Sequence, residues 1–180
     1  MSGGLVFVGA LTLVNLLLLA LMARRVRRLG PTATNPTRPP WLPPGTKVLD
    51  FEAMTIDGEM MSLDRLRGRH SLVGIFSANC EPCRDQVPVF ARYASSYGGP
   101  DQVLAVVTGV GDKADEFVSQ LRGKASVVRE GPRGTVPAAF SANALPAVYL
   151  LDGNGRVVAG GGSISAVNYA RPDVPAGTGD

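Results

Sequence analysis

Residues 71–90 read SLVGIFSANCEPCRDQVPVF, and the order of patterns in this stretch decides the architecture. Ser71–Phe76 is a continuous apolar run of strand length, which predicts a strand buried on both faces. Beyond it, Val87, Phe90, Ala91 and Ala94 recur at i, i+3, i+4 and i+7, the spacing of an amphipathic helix that starts near Glu81. Between strand and helix stand the chain's two cysteines, in Cys80-Glu81-Pro82-Cys83. Two cysteines placed at random fall three apart about 1% of the time, so the spacing carries information. A cysteine at a helix N-terminus faces unpaired backbone N–H groups and the positive end of the helix dipole. These favour its thiolate by up to ~2 kcal/mol, about 1.5 pK units. Cys83 lies one turn on, on the same side, within reach of a disulfide with Cys80, and Pro82 suits a first turn that needs no amide donor. This arrangement points to thiol–disulfide exchange, with Cys80 attacking as thiolate and Cys83 resolving the mixed disulfide. A static bridge is the competing reading, but so short a loop constrains the unfolded chain little.

The flanking sequence supplies a small α/β domain. Phe51–Ile56 and Glu59–Leu63 flank Asp57-Gly58 as a hairpin. Gln102–Thr108 reads as a second buried strand, and Asp112 is placed to cap a helix with Phe117, Val118 and Leu121 on one face. Ser126–Arg129 reads as a short strand, and Ala147–Leu151 and Arg156–Ala159 flank Asp152-Gly153-Asn154-Gly155 as a closing hairpin. Strands alternating with helices and ending in a hairpin describe an α/β sandwich with a mixed central sheet flanked by helices. Residues 46–162 are assigned to this domain, and 163–180 to a short, partly disordered tail that frays after Tyr169.

The 180 residues are 45% hydrophobic with a mean hydropathy of +0.12, high enough to place apolar content outside one core. Gly3–Ala23 carries no charge, and its core, Leu5–Met22 (LVFVGALTLVNLLLLALM), is long enough to span a bilayer as one transmembrane helix. Residues 1–23 therefore read as an uncleaved anchor, because a signal peptide would place positive charge before the apolar run. The isoelectric point of about 9.1 comes from a basic segment just after the anchor. Residues 1–50 hold Arg24, Arg25, Arg27, Arg28, Arg38 and Lys47 against Asp50 alone, whereas residues 51–180 carry 12 bases and 14 acids. The folded domain is mildly acidic, so nucleic acid is excluded as a partner. Residues 24–45 read as an Arg-flanked linker. Its six prolines between Gly30 and Gly45 form no helix, and in extended polyproline geometry they reach roughly 45–50 Å. Trp41, inside it, is expected to pack on the domain or stay exposed rather than mark the membrane interface. Two Cys and one His exclude a four-ligand zinc site, and Arg84 stands where a c-type haem motif needs His. No metal is expected, and no cofactor beyond a redox-active Cys80–Cys83 disulfide.

These residues resemble the thioredoxin superfamily, and FSANCEPCRDQVPVF is most similar to the membrane-anchored TlpA/ResA group of thiol-disulfide oxidoreductases, relatives of the AhpC/TSA redoxins. Pro88, five residues after Cys83, matches a helix proline of that group, and Leu145-Pro146 precedes an apolar strand as the family's cis-proline does. The resemblance covers about residues 46–160, and the anchor-plus-linker layout is similar to that of the methylamine-utilisation MauD proteins. It implies a thioredoxin-like sandwich, with Pro146 cis beside the cysteines and the Leu145 backbone free to pair with an extended substrate. It also implies that Glu81, Pro82 and Arg84 tune the site, Glu81 raising the Cys80 pKa and Arg84 lowering it. The implied partners are protein or peptide dithiols and disulfides, an unidentified electron donor, and the membrane.

Three positions depart from the pattern: Asn79 where many relatives have Trp, Gly74 at thioredoxin's buried acid, and Gln86 where the TlpA/ResA group has an acid. Two other functions compete with a membrane-tethered disulfide reductase. One is thiol peroxidase activity, since Ser77 stands near a peroxiredoxin threonine although Val73 replaces the accompanying proline. The other is a non-catalytic maturation or docking factor. For the side of the cell membrane, the arginines after the span point to a cytoplasmic domain, and the resemblance to an extracytoplasmic one.

Overall fold

The structure, a computed structural model, describes residues 13–19 and 40–168. Residues 13–19 are helical and exposed. The rest of the expected anchor, the Arg24–Arg28 patch, the linker up to residue 39 and the tail beyond 168 lie outside the described residues. Among the described residues, no helix is long and apolar enough to cross a membrane.

Residues 40–168 begin with a hairpin, β1 (Glu52–Met54) and β2 (Met60–Ser62), followed by a short helix α1 (Leu63–Leu66). Next come β3 (Ser71–Ser77), the long helix α2 (Glu81–Tyr97), β4 (Val103–Thr108), α3 (Asp112–Leu121) and β5 (Ser126–Glu130). The chain then forms α4 (Thr135–Ala139), the hairpin of β6 (Ala147–Leu151) and β7 (Val157–Gly161), and α5 (Ser165–Asn168). Five strands make one mixed sheet in the order β5-β4-β3-β6-β7, in which β3, β4 and β5 are parallel, β6 runs antiparallel to β3, and β7 antiparallel to β6.

The sheet is buried on both faces, which is why its inner strands read as unbroken apolar runs. Leu72 and Phe76 of β3, Val103, Ala105 and Val107 of β4, and Val148 and Leu150 of β6 point to one core cluster under α2, α3 and α5. The alternate residues Val73, Ile75, Leu104, Val106, Tyr149 and Leu151 enter a second cluster covered by the hairpin, α1 and α4. The period-2 alternation is complete, so a one-residue slip of β3 would exchange its faces between two differently shaped layers.

Several local expectations are corrected. The second hairpin strand stops at Ser62 because Leu63 and Leu66 turn inward as one helical turn, both 1% exposed. Asp112 is the first residue of α3 and does not cap it; the cap is Gly111, whose φ of 86° favours glycine. There Asp112 and Asp115 still complement the dipole. Helix α4 was not expected. It is held by Glu130, whose carboxylate accepts the Thr135 and Val136 N–H groups at 3.2 and 3.0 Å. Residues 163–168, read from sequence as tail, contain α5 (Ser165–Asn168) and bury Ile164 and Val167 in the first cluster. At the other end Trp41 and Leu42, within the span read as linker, are half-buried against the second, which for Trp41 is the packing on the domain that was expected.

Tyr149 lies in that second cluster, its ring centroid 5.1 Å from that of Phe140 and its hydroxyl donating to the Phe140 carbonyl at 3.3 Å. Burial pushes its pKa from 10.0 up to about 12, against a smaller downward pull from a backbone hydrogen bond to Leu42. A group bound more tightly to its proton in the folded state supports folding fully below its unfolded pKa and loses that support as pH rises through the folded value. Stability is therefore expected to fall between about pH 10 and 12, by on the order of 2 kcal/mol from this group. Urea melts of wild type and Tyr149→Phe across that window measure it, the variant showing the shallower slope.

Candidate active site

Strand β3 ends at Ser77, and a tight turn delivers Cys80 to the N-cap of α2. The Cys80 N–H donates to the Ser77 carbonyl at 3.0 Å, and the Cys83 N–H to the Cys80 carbonyl at 3.2 Å. Pro82 occupies the first turn, where its missing donor costs nothing. Pro88 lies inside the helix and leaves the Arg84 carbonyl without its usual N–H.

Cys80 and Cys83 are joined in a disulfide with Cα atoms 5.3 Å apart. The two sulfurs are not equivalent. Cys83 is fully buried and accepts the Ser77 N–H at 3.5 Å, whereas Cys80 is only partly buried at the edge of the first core cluster. The Leu145–Pro146 peptide is cis, and the Leu145 carbonyl oxygen lies 3.4 Å from Cys80 Sγ, within reach of a thiol donor once the pair is reduced. Segments 65 residues apart are thus brought to one point by the β3–β6 pairing. Glu81, Pro82 and Arg84 are exposed on the first turn, and among the described residues no hydrogen bond or ion pair engages the Glu81 or Arg84 side chain.

Gly74 has a steric reason. A Cβ there would stand 2.5 Å from Phe90 Cε2 and 2.7 Å from Phe76 Cε2, two rings packed edge to face at 5.2 Å. The aromatic pair fills the place where a buried acid would sit. Gln86 is partly buried one turn beyond Cys83, its Oε1 buried without a partner among the described residues.

The sequence reading missed the loop after β4. Ala78 N–H donates to the Thr108 carbonyl at 2.9 Å, and Gly109, with φ 109°, lies where a Cβ would be 3.2 Å from Ala78 Cβ. The next residue, Val110, is 87% exposed. The Gly-Val-Gly run at the carboxyl end of a parallel strand was the available signal, because sites in such sheets gather at that edge. A cavity of about 540 Å³ lined by Phe51, Leu63, Asp64 and Thr135 contains no residue of the cysteine site. Cys80 is half-buried outside that cavity.

The AhpC/TSA family model matches residues 44–159. The chain is similar to the thioredoxin-like protein YneN of Bacillus subtilis, 25% identical over 116 residues that cover 63% of this chain and 68% of the relative. Among solved structures it resembles a Chlorobium tepidum chain described as a thiol:disulfide interchange protein DsbE. That match has a TM-score of 0.55 and 25% identity over 66% of this chain and 84% of the other. A secreted Mycobacterium tuberculosis disulfide oxidoreductase shares the fold at a TM-score of 0.52 and 18% identity, over 64% of this chain and 85% of its own.

Gly74→Asp tests the aromatic filling. It is expected to destabilise the domain by more than about 3 kcal/mol, combining overpacking with a buried unpaired carboxyl, as read by thermal or urea melts.

Proposed function

The chain belongs to the AhpC/TSA family, and from that premise we propose that it is a thiol–disulfide oxidoreductase with a thioredoxin-like fold, exchanging disulfides with protein or peptide substrates through Cys80 and Cys83. The observation that carries the reading is the inequality of the two sulfurs, one partly exposed at a helix N-terminus and one sealed beneath it. In the reducing direction the Cys80 thiolate attacks one sulfur of a substrate disulfide, forming a mixed disulfide and releasing a substrate thiolate. The Cys83 thiolate then attacks Cys80 Sγ, releasing the second substrate thiolate and closing the Cys80–Cys83 disulfide. The substrate gains two electrons and the protein loses two. A dithiol donor restores the cysteines by the same two steps reversed.

Leu145 and Pro146 supply the edge against which an extended substrate lies, and Glu81, Pro82 and Arg84 shape the charge around the attacking sulfur. The uncharged stretch Gly3–Ala23 supports a tether to the cell membrane through residues 1–23, with the domain held on the Pro-rich segment. The chemistry needs no metal and no cofactor other than the cysteine pair. The family also contains thiol peroxidases; the resolving cysteine placed one turn from the attacking one favours disulfides as substrates.

Insulin reduction driven by a dithiol is the direct test. Cys80→Ser is expected to lose activity by at least about 100-fold. Cys83→Ser is expected to accumulate mixed disulfides with substrate, visible as shifted bands on non-reducing gels; recovering none in excess substrate would count against the mechanism. Peroxide consumption matching insulin reduction in rate would favour a peroxidase instead. Labelling of Cys80 in intact cells by an impermeant thiol reagent, after reduction, reads the side of the membrane: labelling means outside, protection means inside.

A further inference from the structure

Strand β7 runs into three consecutive glycines, Gly160, Gly161 and Gly162, where a strand ordinarily gains from side chains that pack. Two of the three are explained by a strap of chain lying against them. Along residues 40–48, the Gly45 N–H donates to the Val157 carbonyl at 2.7 Å, the Val157 N–H to Thr46 at 2.9 Å, and the Val48 N–H to Gly155 at 3.1 Å. Arg156 Nη1 adds a bond to the Gly45 carbonyl at 2.9 Å. A side chain at Gly160 would begin 3.4 Å from the Leu42 carbonyl oxygen and 2.8 Å from the Tyr149 ring. One at Gly162 would begin 3.1 Å from Trp41 Cζ2 and 3.7 Å from the Pro146 carbonyl oxygen.

The strap therefore packs at two heights on β7 and its end, and β7 is the hydrogen-bonded partner of the strand that follows Pro146. The Trp41 ring lies over Gly162, just past the end of β7, and the Leu42 carbonyl lies over Gly160, which pairs with Tyr149 of β6; Trp41 and Leu145 both pack against the second core cluster. The Leu145 carbonyl lies 3.4 Å from Cys80 Sγ. The indole N–H of Trp41 is buried without an acceptor among the described residues, so the ring is held by shape and not by a hydrogen bond.

We propose that Trp41 is a positioning residue for disulfide exchange: its ring, seated over Gly162, fixes the Leu145–Pro146 edge along which a polypeptide substrate must lie. The inference rests on the proposed oxidoreductase function and deepens it, since it makes the end of the Pro-rich segment part of the surface that selects protein disulfides. A small disulfide needs only access to Cys80 Sγ. A protein disulfide needs the sulfur and a fixed edge to hold its backbone in line, and geometry of this kind is lost when the support moves by a fraction of an ångström.

The test compares insulin with a small aromatic disulfide as substrates of the full-length chain, with dithiothreitol as reductant for both. Trp41→Ala is expected to lower kcat/KM for insulin about fivefold more than for the small disulfide, chiefly through KM. Trp41→Phe keeps a ring over Gly162 and loses no hydrogen bond, so it is expected to restore most of the insulin activity. Gly162→Ala keeps Trp41 but displaces its ring, and is expected to reproduce the same selectivity shift even if Trp41→Ala fails to fold. Equal losses on both substrates in Trp41→Ala and Gly162→Ala, or no loss in either, overturn the positioning role. A wild-type chain that reduces neither substrate overturns the oxidoreductase reading itself, which separates the two failures.

Discussion

The structure depends on strand β3 being buried on both faces and bonded on both edges. Parallel β4 and antiparallel β6 take up its backbone groups, while two apolar layers exclude water from its side chains. Such a strand has almost no freedom, because every displacement breaks a ladder or opens a cavity. Whatever stands at its end is aimed by the whole sheet. At that end stand the Ser77 N–H that meets Cys83 Sγ and the turn that presents Cys80.

The unequal burial of the two cysteines is a consequence of this constraint. A short loop at a helix N-terminus could expose both sulfurs or neither. Here the first turn of α2 is pressed against β3, so Cys83 joins Val87 and Phe90 in the core while Cys80, at the cap, stays at the rim. An attacking group needs access and a resolving group needs proximity with protection. The difference in burial matches the roles that the proposed mechanism gives to Cys80 and Cys83. Gly74 belongs to the same economy of space, since Phe76 and Phe90 close the layer under the helix and leave no room for a side chain.

Much of this was legible in the sequence because the signals were local and strong. SLVGIF is apolar without interruption because both of its faces are covered, and Val87, Phe90, Ala91 and Ala94 mark one helix face whatever packs on it. Asp57-Gly58 and the Asp152–Gly155 turn announced hairpins by turn chemistry alone; Asp152 accepts the Asn154 and Arg156 N–H groups at 2.8 Å. The short helices were not legible. Isolated helices of four or five residues are unstable, and α1, α4 and α5 form because Leu63, Val136 and Val167 find buried sites and Glu130 reaches the start of α4. The role of Asp112 was misread by one position because a glycine with positive φ precedes it, a backbone fact that composition does not express.

The amino-acid sequence by itself determined the α/β class, the order of the strands and the two long helices, and the placing of two cysteines three apart at a strand-to-helix junction. These depend on periodicity and spacing along the chain, which need no knowledge of distant neighbours. Only the tertiary structure decided which sulfur is sealed, that Leu145 faces Cys80 across 65 residues, and that the Trp41 ring lies over Gly162. Those outcomes are set by contacts between segments far apart in sequence, and their energies exist only once the sheet has brought the segments together.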